Sequence, residues 1–311
     1  MGIPDMSHPT LLVIGSANAD LVTRVPRCPK PGESLLGRSF AVIPGGKGAN
    51  QAVAAARLGA TTFFVGCVGD DAFGQMQRTA LSSAGVYVSH LKTHPTEPTG
   101  TAVIFVADEG QNSIVVTPAA NYGLEPGDVE SLDSLFKQAD ALLVQLEIPL
   151  ETVEAVLRCA ARFGILSILD AGPAQKVPET LIKMPDVISP NETEVETMTG
   201  VAVRTLDTAR EAAEKLLEMG AREVVLKLGA NGALYMGDHW FHAPAFAVNA
   251  IDTVAAGDAF TAALAIAWRS KPHRRDAVRF ANAAGALATT VAGAQPSMPT
   301  RDAVEQFLAA Q

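Results

Sequence analysis

Short runs of β-branched and apolar residues recur along the chain, separated by longer stretches in which apolar positions return every three to four residues. Leu11 to Ile14, Thr61 to Val65, Ala141 to Leu146, Ile165 to Leu169, Asp186 to Ile188 and Glu223 to Leu228 read as strands. Several are apolar at every position. Such strands belong in a parallel sheet covered on both faces, and the intervening helical segments can supply the covers. In one of these, Ala209, Ala212, Ala213, Leu216 and Leu217 form an i, i+3, i+4, i+7, i+8 stripe, preceded by a Thr208/Glu211 capping box and ended by Gly220. The last third turns helical, over Gly257 to Ser270, Arg274 to Thr290 and Arg301 to Ala310, with no repeat of fixed period. The pattern predicts an α/β protein built on a doubly wound, mostly parallel sheet.

Two stretches break the alternation. Leu21 to Ile43 is rich in Pro and Gly, and Thr99 to Thr117 reads as a hairpin of Thr101 to Ala107 and Ser113 to Thr117 around a turn at Asp108 to Asn112. Together they predict a small β subdomain on the edge of the sheet. It is either a plain edge hairpin or a lid, set where loops leave the strand ends and able to close over a ligand.

At 311 residues the chain suits one large α/β domain or two small ones. Lys and Arg number 24 against 33 Asp and Glu, a formal charge of −9 without runs of one sign. That balance argues against nucleic acid and anionic membrane as partners, since both need clustered cations. A small phosphate can still be held locally by backbone N–H groups, one Lys and a metal ion. Cys28, Cys67 and Cys159 are scattered, with no zinc or redox spacing, and read as reduced thiols of a cytoplasmic protein. Met1 to Thr10 lacks a signal-peptide pattern. No apolar stretch approaches the ~20 residues that span a bilayer; even Ala259 to Trp268 is ended by Arg269.

Five places carry candidate chemistry. Gly45-Gly46-Lys47-Gly48-Ala49-Asn50-Gln51 opens a helix that continues to Leu58 and stops at Gly59. Its glycines clear space where a ligand meets a helix N-terminus, and Lys47 and Asn50 add a cation and an amide. Gly48 stands where a Walker loop needs Ser or Thr, and no Gly-x-Gly-x-x-Gly is formed, so by itself the segment is either a ligand loop or a tight turn. Asp252 to Phe260 leads small residues into an apolar helix. The N–H groups around Ala255 to Asp258 would form an anion pocket with the Asp258 carboxylate at its lip, or Asp258 would simply cap the helix. Asp252 reads as a partner of that loop or as a turn residue. Asn191-Glu192-Thr193-Glu194, at a strand's C-terminal end, offers oxygen ligands suited to Mg2+ or a helix cap. Asn18 and Asp20 just past the first strand, and Glu147 after the strand Ala141 to Leu146, are placed to hold a small polar ligand or to serve as turn and surface residues.

In combination and order, these segments resemble the ribokinase family of sugar kinases over nearly the whole chain. The resemblance is carried by Gly15-Ser16-Ala17-Asn18-Ala19-Asp20, Pro31-Gly32-Glu33, Gly45 to Ala56, Gly69-Asp70-Asp71, Gln145-Leu146-Glu147, Asn191 to Glu194, Leu228-Gly229, Asp252 to Phe260 and Gly293 to Ser297. It implies a single sugar kinase domain over 1–311, with a β lid formed by about 17–44 and 98–118. It also implies ATP-dependent, Mg2+-assisted phosphoryl transfer to a small sugar, D-ribose foremost, and a homodimer formed through the lid. Deoxyribose, fructose, a sugar acid or adenosine are the alternative substrates, and a non-catalytic sugar or nucleotide sensor is the rival class.

By the same resemblance Asp258 is the catalytic base and the amides of Ala255, Ala256 and Gly257 form the anion hole. Asn18, Asp20, Gly46, Lys47, Asn50 and Glu147 fall at sugar-binding positions. Asn191, Glu194, Lys227, Gly229, Gly232, Gly257 and Asn282 fall on the nucleotide side, with Glu194 reaching Mg2+ through water. Asp252, Val254, Ala288, Val291, Gly293 and Ser297 match a monovalent-cation loop, which implies activation by K+. Three places depart from the family pattern. Val254 to Asp258 replaces Thr-Gly-Ala-Gly-Asp, Asp170-Ala171-Gly172-Pro173-Ala174 replaces Asn-Pro-Ala-Pro-Ala, and Lys227 stands where Thr is common.

Overall fold

The apolar run Leu11–Ile14 lies at the centre of the molecule with every side chain fully buried. Leu11 and Val13 enter one hydrophobic cluster and Leu12 and Ile14 another, as alternation in a strand requires when helices cover both faces. The structure, a computed structural model, describes residues 8–109, 111–271 and 273–311.

The chain runs β1 (Thr10–Ile14), β2 (Asn18–Val25), β3 (Ser39–Gly45), α1 (Lys47–Arg57), β4 (Thr61–Gly69), α2 (Ala72–Ser83), β5 (Tyr87–His94), β6 (Gly100–Ala107) and β7 (Asn112–Thr117). It continues through α3 (Pro126–Glu130), α4 (Asp133–Gln138), β8 (Ala141–Gln145), α5 (Leu150–Phe163), β9 (Leu166–Asp170), α6 (Glu179–Ile182), β10 (Val187–Ser189), α7 (Glu192–Thr199) and α8 (Leu206–Glu218). The last elements are β11 (Glu223–Lys227), β12 (Ala233–Met236), β13 (Trp240–Ala243), α9 (Ala256–Ser270), α10 (Arg274–Ala288) and α11 (Arg301–Ala309).

The large sheet has the order β13-β12-β11-β10-β9-β8-β1-β4-β5 and is parallel from β11 to β5, with β12 and β13 antiparallel at one edge. Helices α1, α9 and α10 contribute to the core on one face, and α5, α7 and α8 to the core on the other. Connections leave β1 in both directions, to β4 on one side and β8 on the other, and a crevice opens at such a switch point above the strand ends. A second sheet, β3-β2-β6-β7, gathers the two stretches that break the alternation. In it β2 and β6 pair in parallel, each flanked by an antiparallel neighbour.

Some details differ from the sequence reading. Strand β4 continues through Gly69, where the pattern ends at Val65, because Cys67 to Gly69 pair with β5. Gly66 interrupts the apolar run, and its place is set by packing: a Cβ there would lie 2.8 Å from the Gly15 carbonyl oxygen. Helix α8 starts three residues earlier than expected. Thr205 is its cap and Thr208 closes the box, each side chain accepting from the other's N–H, which leaves Glu211 on the helix surface. Edge strand β5 escapes the pattern because it alternates with polar residues, and the β12–β13 hairpin because each of its strands is only four residues long. Residues 1–7, read as free of a signal pattern, and Gly110 in the expected turn lie outside the described residues. Among the described residues no helix is long and apolar enough to cross a membrane.

Candidate active site

The loops after β1 and β8 meet at the crevice. Glu147 accepts hydrogen bonds from the Ser16 hydroxyl, from Asn18 Nδ2 at 3.4 Å and from the Lys47 backbone N–H at 3.2 Å. Asn18 is steadied from its other side by Asn121, whose Nδ2 donates to Asn18 Oδ1 at 2.7 Å while its Oδ1 accepts from Ala17 N at 2.9 Å. Asp20 is 6% exposed, and among the described residues its carboxylate has no hydrogen-bond partner. Burial, then the nearby charges of Glu147 and Asp258, pushes its carboxyl up to about 7. Asn18, Asn121, Tyr122, Glu147 and Gln175 line a cavity of about 240 Å³ that Val116 of the small sheet closes on one side.

Helix α1 supplies the next wall. Its N-cap Gly46 has φ 89, and a Cβ there would stand 2.6 Å from Asn18 N, so both the backbone angle and the space demand glycine. Lys47, Asn50 and Gln51 follow at i, i+3 and i+4 and share one face of a helix whose remaining residues, apart from Gly48 and Arg57, are Ala and Val. Asn50 Nδ2 donates to Asp258 Oδ2 at 3.0 Å, and Gln51 Nε2 reaches Asp258 Oδ1 at 3.2 Å and Asp170 Oδ2 at 3.1 Å. The buried Asn50 Oδ1 has no partner. Lys47 Nζ lies 3.7 Å from Asp170 Oδ1 and 4.0 Å from Asp258 Oδ1. Burial alone would lower the Lys47 ammonium, but Asp170, Asp258, Glu194 and Glu147 outweigh it and hold the group well above its usual range.

Asp258 projects from the first turn of α9 and is not its cap. The N-cap position belongs to Ala255, in the left-handed region at φ 61, and no side chain caps the helix. The Ala256 N–H turns back to Thr253 O at 3.3 Å, so the three-amide hole read from Ala255, Ala256 and Gly257 is modified. Among the described residues it is the N–H groups of Ala255, Gly257 and Asp258 that find no acceptor. They open on a cavity of about 610 Å³ whose wall includes Asn191, Lys227, Gly229, Phe246 and Asn282. Burial raises the Asp258 carboxyl above its ordinary value, with Lys47 opposing and Asp170 adding to the shift. A carboxyl so poised can take a proton from a hydroxyl beside an anion pocket.

The remaining candidates fall into two groups. Asn191 and Glu194 form a capping box on α7, with Glu194 N donating to Asn191 Oδ1 at 2.9 Å and Asn191 N to Glu194 Oε2 at 2.7 Å. Glu194 nevertheless lines the large cavity, and its burial raises its carboxyl. Gly229 and Gly232 bound the turn after β11, and Asn282 Nδ2 donates to the carbonyls of Ala243 and Pro244 at 3.0 and 3.2 Å, fixing the cavity's far rim. Asp252 makes the turn bond expected of it, accepting from Val254 N at 3.0 Å, and also accepts from Gly293 N at 2.9 Å. Asp252 N reaches Thr289 O at 3.1 Å, Val291 N reaches Ala288 O at 3.4 Å, and Ser297 Oγ reaches Ala294 O at 2.7 Å, so the two loops are tied behind α9.

Sequence reasoning left Asp170, Gln51, Thr261 and Asn121 without roles. Asp170 and Lys227, two separate departures from the family pattern, form a buried ion pair at 2.9 Å. The i, i+3, i+4 spacing of Lys47, Asn50 and Gln51 is the signal that would have found Gln51.

Free amides and a buried carboxylate at one helix start, sharing the wall of a large cavity, with a smaller polar cavity at the neighbouring strand ends, are the arrangement of a small-molecule phosphotransferase. A model of the pfkB family of carbohydrate kinases matches residues 9–301, and the chain belongs to that family. It is 41% identical to a ribokinase of Haemophilus influenzae over 96% of this chain and 98% of that protein. It is 37% identical to a deoxyribokinase of Salmonella typhi over 96% of this chain and 97% of that protein. The solved structure of Arabidopsis thaliana ribokinase complexed with ribose and ATP superposes with a TM-score of 0.90 at 35% identity, covering 97% of this chain and 99% of that one.

Proposed function

We propose that the protein transfers the γ-phosphoryl group of ATP to the 5-hydroxyl of D-ribose, giving ribose 5-phosphate. The observation that carries this is Asp258: a buried carboxylate at the start of α9 that is bound by Asn50 and Gln51 rather than by the helix's own amides. The unpartnered Asp20 carboxylate and Asn50 Oδ1 suit a ligand rich in hydroxyls, with Asn18, Gly46, Lys47 and Glu147 completing the sugar side. Asn191, Glu194, Lys227, Gly229, Gly232, Gly257 and Asn282 line a cavity large enough for a nucleotide, open to the free amides. The ribose and ATP named for the Arabidopsis relative, and the near-complete overlap with it, support the same substrates.

Phosphoryl transfer passes through a loose transition state, so the chain's work is alignment and charge stabilisation. The sugar hydroxyl passes its proton to Asp258 while the amides of Ala255, Gly257 and Asp258 face the oxygens of the migrating group. Glu194, on the wall of the large cavity, is placed to hold through water a Mg2+ that the nucleotide phosphates would carry. Bound Mg2+ would neutralise charge on the phosphates. The oxygen-rich loops carrying Asp252, Val254, Ala288, Val291, Gly293 and Ser297 are read as a K+ site bracing the amides from behind, so Na+ in place of K+ lowers turnover.

The lid sheet supports a homodimer. Its register sets Asp20, Ala102 and Val116 on one face, toward the sugar cavity, and Leu21, Phe40, Val42, Val103 and Val115 on the other. Phe40 and Val115 on that outer face are 64% and 65% exposed, and a second copy is the occupant the family resemblance implies. The decisive experiment is ADP release from ATP and Mg2+ with ribose, 2-deoxyribose, fructose, a sugar acid and adenosine. Ribose gives the highest kcat/KM, and absence of sugar-dependent ADP release overturns the assignment.

A further inference from the structure

Asp170 ends β9 fully buried and lines neither cavity, so it touches no substrate. Its carboxylate accepts from Lys227 Nζ and Thr261 Oγ1, both at 2.9 Å, from Gln51 Nε2 at 3.1 Å and from Gly172 N at 3.1 Å. Burial alone would raise this group, yet Lys227 and Lys47 outweigh it and hold the carboxyl well below its usual range. It remains charged through neutral pH.

Lys227, 8% exposed, does line the large cavity. An ammonium has three donor hydrogens, and Lys227 gives one to Asp170; the others meet no acceptor among the described residues. The ammonium lies against the first turn of α9, since a Cβ on Gly257 would stand 4.0 Å from Nζ. A lone lysine is a flexible point charge on a four-carbon stem and needs an anchor to be held at one place. Asp170, itself fixed by Thr261, Gln51 and its own turn, is that anchor.

We propose that Asp170 is a positioning residue that fixes the Lys227 ammonium at the start of α9, where Lys227 binds the terminal phosphates of the nucleoside triphosphate. The inference rests on the nucleotide reading of the large cavity and adds to it one cation and the buried group that aims it.

The test measures calorimetric binding of AMP and of the non-hydrolysable triphosphate AMP-PNP to the unaltered protein, Lys227→Met, Lys227→Arg, Asp170→Asn and the double variant Asp170→Asn/Lys227→Met. Lys227→Met loses tenfold or more in AMP-PNP affinity and keeps AMP within about twofold, whereas a general structural role would weaken both ligands alike. Lys227→Arg recovers most of the loss. Asp170→Asn reproduces the selective loss, and the double variant is no worse than Lys227→Met because Asp170 acts through the lysine. Should Asp170→Asn fail to fold with an unpaired buried lysine, the double variant, which buries no lone charge, carries the comparison. Equal AMP-PNP affinity in Lys227→Met, parallel losses for both ligands, or additive losses in the double variant overturn the proposal. If the unaltered protein binds neither ligand, the nucleotide reading itself has failed; if it binds both and the variants do so equally, only the present inference has.

Discussion

Replacing Asp20 by Asn exchanges a buried, unpartnered carboxylate for a neutral amide of the same shape. In the unaltered protein burial, reinforced by Glu147 and Asp258, lifts Asp20 from an ordinary 3.8 to about 7. At about 1.4 kcal/mol per tenfold change, that amounts to about 4 kcal/mol of preference for the protonated form. The folded chain holds this proton more tightly than the unfolded chain, so the contribution of Asp20 to stability is full below about pH 4 and is lost as pH rises toward 7. Asp170 pulls the other way, but it is common to both proteins and cancels in their difference. Asp20→Asn is therefore more stable than its parent by about 2 to 4 kcal/mol at pH 8, after allowing for relaxation around the charge, and the gap closes near pH 4. Sugar binding inverts the preference, because hydroxyls donate to the carboxylate and must expel its proton. With a carboxyl near 7, ribose affinity at pH 6 is about tenfold weaker than at pH 8, and about one proton is released per sugar bound at pH 6 but almost none at pH 8. Urea unfolding of both proteins at pH 4, 6 and 8 and ribose calorimetry in buffers of different ionisation enthalpy measure the two effects. Equal stabilities at pH 8, or ribose affinity unchanged between pH 6 and 8, would show that Asp20 holds no proton in the folded chain.

Asp258→Asn lowers kcat by a factor of 10² to 10⁴, about 3 to 5 kcal/mol, while ribose and AMP-PNP still bind; a kcat within tenfold of the parent removes Asp258 from the base role. Because burial raises this carboxyl, turnover of the parent climbs as pH rises through its raised value, and that limb disappears in the variant. Ala255→Gly relieves a left-handed alanine at φ 61 and stabilises the fold by about 0.5 to 1 kcal/mol, read from the urea midpoint; a loss of stability contradicts the backbone assignment. Val115→Asp, on the outer face of the lid, turns a dimer into a monomer in sedimentation velocity. An unaltered protein that already sediments as a monomer disposes of the dimer.

The core of the sheet was legible because its strands are apolar on both faces, and only parallel strands under two layers of helix need that pattern. The rim was not: Tyr87–His94 alternates with polar residues and resembles a loop until its pairing with β4 is seen. Asp258 and Asn50 were legible as types at telling positions, yet their 3.0 Å contact joins residues 208 apart, which no local pattern encodes. Asp170 could not be read at all by itself. A carboxylate at a strand end is ordinary until Lys227, Thr261 and Gln51 converge on it from three other elements. The glycine that the family pattern carries where Ala255 stands becomes intelligible, since φ 61 costs a glycine no strain.

The span between Asn50 and Asp258 bears on how the protein is made. Everything up to β11 can emerge from a ribosome and begin to condense while the donor amides of α1 still lack their carboxylate and the sheet face that α9 covers is bare. Competence thus arrives late and all at once, when the last helices dock. A nascent or nicked chain missing α9 would hold neither part of the chemistry in reserve, and it would show an apolar surface for a chaperone to cover.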